Sequence, residues 1–262
     1  MTPRYVFVAG LHRSGTSLLA DLIADFPDVS GIRGAPVPEQ EGVYLQGAIP
    51  HTAAHGRPMH FATDPAQHHV EGGRYDTLET RERLRSDWNA WFDPRARWRV
   101  EKSPVNLTRM RLYQQLFPLA QFVVILRHPQ AVAGAVAKWV EMTRAEAVAH
   151  WIAAHDQLRA DLPYLHNVLV LRYEDLVAAP GDITAAIARF LDLDHAAPTP
   201  RDISNRNANY PVWDLDEEEL GACAQWGYGG QGHVAAWSPI VQHMLGATRR
   251  DVGEILRALP AR

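Results

Sequence analysis

Near its start the chain runs from the apolar stretch Tyr5-Val-Phe-Val-Ala9 straight into Gly10-Leu-His-Arg-Ser-Gly-Thr-Ser17, and from there into a helix-like segment, Thr16 to Phe26. A buried strand that gives way to glycine and then to a helix gathers free backbone N–H groups and the positive end of the helix dipole at one point. The junction therefore predicts an anion site; an ordinary glycine turn with a Ser or Thr cap is the plainer alternative. The spacing is close to the phosphate loop G-x-x-x-x-G-K-[ST], but Thr16 stands where that loop has its lysine. Phosphate-cleaving loops of this kind also need a strand-end acid to hold Mg²⁺. Here the apolar run Phe122–Leu126 ends in Arg127. The loop reads as one that holds an anion without a metal, its positive charge moved to Arg13.

The rest of the chain repeats the strand-then-helix rhythm. Tyr5–Ala9, Trp98–Val100, Phe122–Leu126 and Val168–Leu171 are short, branched or aromatic, and bounded by polar residues, as buried parallel strands are. Helices are expected over Thr16–Phe26, Thr80–Phe92, Leu107–Phe117, Ala131–Met142, Arg144–Leu162 and Asp182–Leu191, with closing helices over Glu217–Trp226 and Val241–Leu259. The alternation predicts an α/β fold: a P-loop-like, three-layer architecture with a central, mostly parallel sheet and helices on both faces. Ligands of such sheets bind beyond the carboxyl ends of the strands. The length of 262 residues suits one large α/β domain over 1–262. Asp28–Thr77 breaks the rhythm with Pro, Gly and five histidines (His51, His55, His60, His68, His69) and reads as an irregular substrate-side insertion. Ala196–Pro211 is similarly irregular.

Composition narrows the function. A net charge of -4 excludes a broadly basic nucleic-acid coat but leaves room for a local basic pocket. One cysteine, Cys223, excludes an internal disulfide framework and multi-cysteine metal sites. No apolar run approaches the ~20 residues that cross a bilayer, and Tyr5–Ala9 is too short and too β-branched for a signal-peptide core. The expected compartment is the cytoplasm, with no nucleic-acid or membrane partner. The histidines lack a convincing zinc-ligand spacing, and no metal is expected. Only two of the 26 basic residues are lysines, Lys102 and Lys138.

Arg13-Ser-Gly-Thr-Ser17 after a strand resembles the 5′-phosphosulfate loop of sulfotransferases that use 3′-phosphoadenosine-5′-phosphosulfate (PAPS), and its arginine resembles the carbohydrate and tyrosylprotein branches. Three further segments come in the family's order. Glu101-Lys-Ser-Pro104 is similar to the segment whose lysine approaches the transferred sulfate; read without the family, Glu101 and Lys102 fit a surface ion pair. Arg127-His-Pro resembles the 3′-phosphate site, although Ala135 stands at the family's serine position. Leu171-Arg-Tyr-Glu-Asp-Leu176 is similar to the segment whose tyrosine lies near the adenine. The resemblance covers about residues 5–193. It implies that Arg13, Ser14, Gly15, Thr16, Ser17, Arg127 and Tyr173 bind PAPS, with product PAP (adenosine 3′,5′-bisphosphate).

Sulfuryl transfer to a hydroxyl needs a base for the departing proton. The resemblance to carbohydrate-type enzymes points to a glutamate after the first helix, where Pro38-Glu-Gln-Glu-Gly42 lies. Glu41 fits that spacing better than Glu39; two exposed loop acids are the plainer reading. Lys102 and Arg13 would stabilise the charge that develops on transfer. The expected function is in-line transfer of a sulfuryl group from PAPS to a hydroxyl of a small-molecule or carbohydrate acceptor. The alternatives are a P-loop-type nucleotide kinase and a non-catalytic nucleotide-binding relative.

Overall fold

Along the first strand the side chains alternate between two cores. Tyr5, Phe7 and Ala9 belong to one buried cluster, Val6 and Val8 to the other, as the period of two dictates for a strand covered on both faces. The computed structural model describes residues 3–51, 58–193 and 203–259. Its sheet contains β1 (Arg4–Ala9), β2 (Val29–Gly31), β3 (Trp98–Lys102), β4 (Gln121–Leu126), β5 (Val168–Arg172) and β6 (Ile240–Gln242) in the order β2-β3-β1-β4-β5-β6. All neighbours pair in parallel except β6, which runs antiparallel to β5.

Helices cover both faces. Over Val6 and Val8 lie α1 (Thr16–Ala24), through Leu19 and Ile23; α6 (Tyr173–Ala178), through Leu176; α7 (Pro180–Phe190), through Ile183 and Ile187; and α9 (Gly246–Arg257), through Val252 and Leu256. Over Tyr5 and Phe7 lie α2 (Leu78–Asn89), through Leu84 and Trp88; α3 (Met110–Leu116), through Tyr113; α4 (Pro129–Val136), through Val132; α5 (Arg144–Asp161), through Trp151; and α8 (Glu217–Ala224), through Cys223. The longest helix, α5, starts at a capping box: Thr143 accepts from the Glu146 N–H, and Glu146 accepts from the Thr143 N–H. The expected α/β architecture is the one found.

Several boundaries differ from the sequence reading. The irregular stretch after Asp28 opens with β2, whose three residues carry too little pattern to register as a strand. Val241 begins no helix: Ile240–Gln242 pairs with the free edge of β5, and α9 starts only at Gly246. The helix expected over Ala131–Met142 stops at Val136, where the chain turns and sets Trp139 against Arg13. The helix expected from Leu107 begins as a 3-10 turn over Pro104–Thr108. Among the described residues of 32–77 the chain forms four short 3-10 turns, and His55 lies outside the described residues, as do residues 196–202 of Ala196–Pro211.

Phe7 is fully buried and packs with Tyr113 at a ring separation of 4.7 Å and with Tyr5 and Phe122 at 5.7 Å. Phe7→Ala is expected to lower stability by about 3–5 kcal/mol, read as a shift of the urea unfolding midpoint without a change in slope.

Candidate functional site

The carboxyl ends of β1, β3 and β4 open on a cleft of about 720 Å³. Its floor is the turn after β1. Gly10 has φ 149, and a Cβ there would stand 2.4 Å from the Ile125 carbonyl oxygen; Gly15 has φ 103, and a Cβ there would meet the Tyr173 ring at 3.0 Å. Both positions exclude a side chain, which brings the loop backbone close to β4 and Tyr173. Arg13 also takes a positive φ, 66, and is exposed. No side chain caps α1 and its first turn holds no acid of its own, so its N–H groups and dipole face the cleft.

Arg13, Gly15, Thr16 and Ser17 line the cleft. Ser14 does not: its hydroxyl donates to the Leu11 carbonyl at 2.5 Å and its N–H to the same oxygen at 3.1 Å. Ser14 shapes the loop from within. His12 lines the cleft between Phe61 and Trp139, and burial, with help from His150, His51, Lys102 and Arg13, pushes its pKa down to about 3. It is a neutral ring beside a cationic loop.

Arg127 faces the same cleft from the end of β4. Its Nη1 donates to the Arg13 carbonyl at 2.8 Å and its Nε to Asn207 Oδ1 at 2.8 Å. Nη2 is buried and finds no hydrogen-bond partner among the described residues. The guanidinium lies 4.3 Å from the Tyr173 ring centre and 5.4 Å from that of Tyr210. Tyr173 is held by its hydroxyl, which donates to the Ser204 carbonyl and accepts from the Arg206 N–H, both at 3.2 Å. Glu174 fixes the assembly from behind, accepting from the His128 N–H at 3.0 Å, Asn207 Nδ2 at 2.7 Å and the Tyr228 hydroxyl at 2.8 Å. Ala135 is buried in α4, and Lys138 is exposed in the turn beyond, 4.8 Å from the Tyr210 ring centre.

Glu39 and Glu41 also line the cleft, but in different settings. Glu39 is exposed, with its carboxylate 3.5 Å from the Ser17 hydroxyl. Glu41 is buried, with Oε1 3.3 Å from Lys102 Nζ. Burial raises its pKa from the ordinary 4.5 to about 7, against the opposing pull of Lys102 and with a smaller upward push from Glu101 and Glu39. The plainer reading of Glu41 as an exposed loop acid fails on its burial. Lys102 Nζ also donates to the Glu39 carbonyl at 2.7 Å and borders a smaller adjoining cavity of about 410 Å³ rather than the main cleft. Glu101 and Lys102 form no surface pair: both are buried, and the Glu101 carboxyl binds the Gly42 N–H, Ser103 and Asn106.

Of the residues singled out in the sequence, Arg13, Gly15, Thr16, Ser17, Glu39, Glu41, Arg127 and Tyr173 line the one cleft, with Ser14 turned aside and Lys102 behind the Glu39 backbone. Sequence reasoning missed Arg206 and Tyr210 as cleft residues and Asn207 as the partner of Arg127, since a loop more than 70 positions away carries no local mark of its contact with Arg127. No group of three or more His, Cys, Asp or Glu side chains among the described residues could hold a metal ion. None of the helices described is long and apolar enough to cross a membrane.

A family model described as "Sulfotransferase family" matches residues 3–197. The chain belongs to the sulfotransferase family. Among solved structures it is similar to the sulfotransferase domain from the curacin biosynthetic pathway, at 16% identity and a TM-score of 0.50, covering 86% of this chain and 98% of that one. It is similar also to the sulfotransferase domain of the Synechococcus PCC 7002 olefin synthase, at 18% identity and a TM-score of 0.51 over 98% and 96% of the two chains. The sulfotransferase STF9 from Mycobacterium avium matches at 14% identity and a TM-score of 0.54, over 86% of this chain and 76% of that one. At these identities the likeness is one of fold: the central, mostly parallel sheet is the sulfotransferase sheet. No curated protein matches the chain in sequence.

Because Glu41 has a higher pKa folded than unfolded, the folded state holds the extra proton between about pH 4.5 and 7, and this group's contribution to stability falls as pH rises through that window. A ¹³C-carboxyl NMR titration should place the Glu41 midpoint near 7, and Lys102→Met should move it higher still by removing the opposing cation.

Proposed function

We propose that this sulfotransferase takes its sulfuryl group from PAPS and transfers it in line to a hydroxyl of a small-molecule or carbohydrate acceptor, with residues 1–262 acting as one catalytic domain. The observation that carries the reading is that Arg13 and Arg127 line one cleft and are joined directly, Arg127 Nη1 to the Arg13 carbonyl at 2.8 Å. Two cations on one wall suit a ligand with anionic groups at two points. An uncapped helix start, two glycines that let the loop backbone lie close against β4 and Tyr173, and a buried guanidinium N–H without a partner among the described residues all suit a doubly anionic nucleotide.

In this reading the N–H groups of the loop at Gly15, Thr16 and Ser17, with the Arg13 guanidinium, hold the 5′ end. Ser14 keeps the loop in shape for it. Arg127 holds the 3′-phosphate with Nη2 as the free donor, and the Tyr173 ring, on which Arg127 lies, offers a face to the adenine. PAPS supplies an activated sulfuryl group whose departure leaves negative charge on the nucleotide. Arg13 from the loop, and Lys102 once it turns from the Glu39 carbonyl toward the main cleft, stabilise that charge. Glu41 accepts the proton of the acceptor hydroxyl at its carboxylate, and a pKa near the working pH suits a base that must take a proton and later release it. Glu39, exposed and beside Ser17, is the second candidate for that task. The acceptor enters past Tyr44, Pro104 and Trp139, which line the cleft beside Glu41 and His12.

PAP should raise the melting temperature while ATP with Mg²⁺ raises it much less; the opposite ranking would overturn the donor assignment. Arg127→Ala should weaken PAP binding about 10- to 100-fold, the scale of a charge-assisted hydrogen bond, but leave binding of adenosine 5′-phosphosulfate, which lacks the 3′-phosphate, nearly unchanged by calorimetry. Lys102→Ala should abolish transfer of labelled sulfate to a panel of hydroxyl compounds with PAP still bound. Since the ionised Glu41 is the active form, kcat should rise with pH through about 7. A flat profile there would remove Glu41 from the role of base.

A further inference from the structure

Two carboxyl groups stand within reach of the Lys102 segment, and only one of them belongs to the cleft. Glu101 precedes Lys102 at the end of β3, and because successive strand side chains leave opposite faces, the two point apart. Glu101 is wholly buried, yet it meets three donors: the Gly42 N–H at 3.0 Å and the Ser103 hydroxyl at 2.5 Å on Oε1, and Asn106 Nδ2 at 2.6 Å on Oε2. Asn106 is itself tied to β1, donating to the Val8 carbonyl at 3.0 Å. The peptide after Glu41 is gripped at its other points as well. The Gly42 carbonyl accepts from Trp88 Nε1 at 2.9 Å, and the Val43 N–H donates to Ser103 Oγ at 3.0 Å. There is no slack in this contact, since a Cβ on Gly42 would stand 2.6 Å from Glu101 Oε1 and 2.7 Å from its Cγ.

We propose that Glu101 is a positioning residue: through Gly42 it fixes where the Glu41 carboxylate stands relative to Lys102. Its two oxygens meet all three polar partners, which an apolar residue of the same volume could not. A buried carboxyl group is a poor means of stabilising a fold; what this one supplies is the placement of a loop whose own structure is limited to short 3-10 turns. The 3.3 Å approach of Glu41 to Lys102 is made between a strand end and a loop over 60 positions away. Glu101 is the side chain that ties the two together one residue to either side of that approach.

The inference rests on Glu41 acting as the base, and its test separates the two ideas. Crystal structures of Glu101→Ala and Gly42→Ala should show the Glu41 carboxylate beyond hydrogen-bond reach of Lys102, a result that needs no turnover to be read. With PAPS and an accepted hydroxyl compound, both variants should lose kcat by about 10- to 100-fold, the scale of a 1 Å misplacement. The calorimetric affinity for PAP should hold within about twofold. Glu101→Gln keeps an oxygen for Gly42 and Ser103 but sets an amide donor against Asn106 Nδ2, so it should hold Glu41 in place and lose less of kcat than Glu101→Ala. Glu41 remaining beside Lys102 in Gly42→Ala, or Glu101→Gln losing as much kcat as Glu101→Ala, would overturn the positioning role. Should Glu101→Ala fail to fold, Gly42→Ala and Glu101→Gln decide alone. A displaced Glu41 with undiminished kcat would instead remove Glu41 as the base while leaving the clamp intact.

Discussion

β1 lies in the middle of the sheet, with β3 on one side and β4 on the other, and its chain must leave that crowded place within a single turn. At Gly10 the turn passes so close to β4 that even a methyl group would collide with the Ile125 carbonyl. That close approach is what everything at the cleft depends on. It brings the loop backbone under Tyr173, aligns the start of α1 with the opening, and places the Arg13 carbonyl where Arg127, one residue past the neighbouring strand, can bond to it. The cationic character of the site is thus a property of the sheet's geometry as much as of the arginines themselves.

The opposite wall is organised by burial of charge. Glu41 sits in a setting that raises its pKa in spite of the ammonium beside it, so desolvation outweighs the Coulombic attraction of the pair. Such an arrangement holds only if the partners cannot move apart into water. Here the loop peptide that comes after Glu41 is pinned at successive polar groups by Glu101, Trp88 and Ser103, all of which belong to regular elements or flank them directly. His12, neutral against two aromatic rings, adds no competing charge.

Much of this was legible in the sequence because its strongest signals are local. A strand, a glycine turn and a helix start are adjacent in the chain, so Gly15, Thr16 and Ser17 could be placed together without knowing the fold, and the strand-end positions of Lys102, Arg127 and Tyr173 are set once the sheet is parallel. Contacts that depend on distant chain segments meeting could not be read. Ser14 belongs to the loop motif, yet its hydroxyl turns inward to Leu11. The plainer alternative for Glu101, half of a surface pair, fails because Gly42 lies against it, which nothing in Glu-Lys-Ser-Pro reveals. Asn207, which bonds both Arg127 and Glu174, sits in a stretch whose composition marks it only as irregular. The strands β2 and β6 are three residues each, too short for periodicity, and their identity comes from the partners they pair with.

Those two short strands are also the borders of the sheet. A parallel sheet with a long, apolar outer strand would offer its unpaired N–H and C=O groups to any other chain. Here β5, whose residues are all buried, is shielded by the antiparallel β6, which arrives some 70 positions later in the sequence. During synthesis, therefore, the flank of Val168–Val170 stays uncovered until Ile240–Gln242 has emerged, and a polypeptide that stops short of β6 carries a sticky ribbon that the folded sheet conceals.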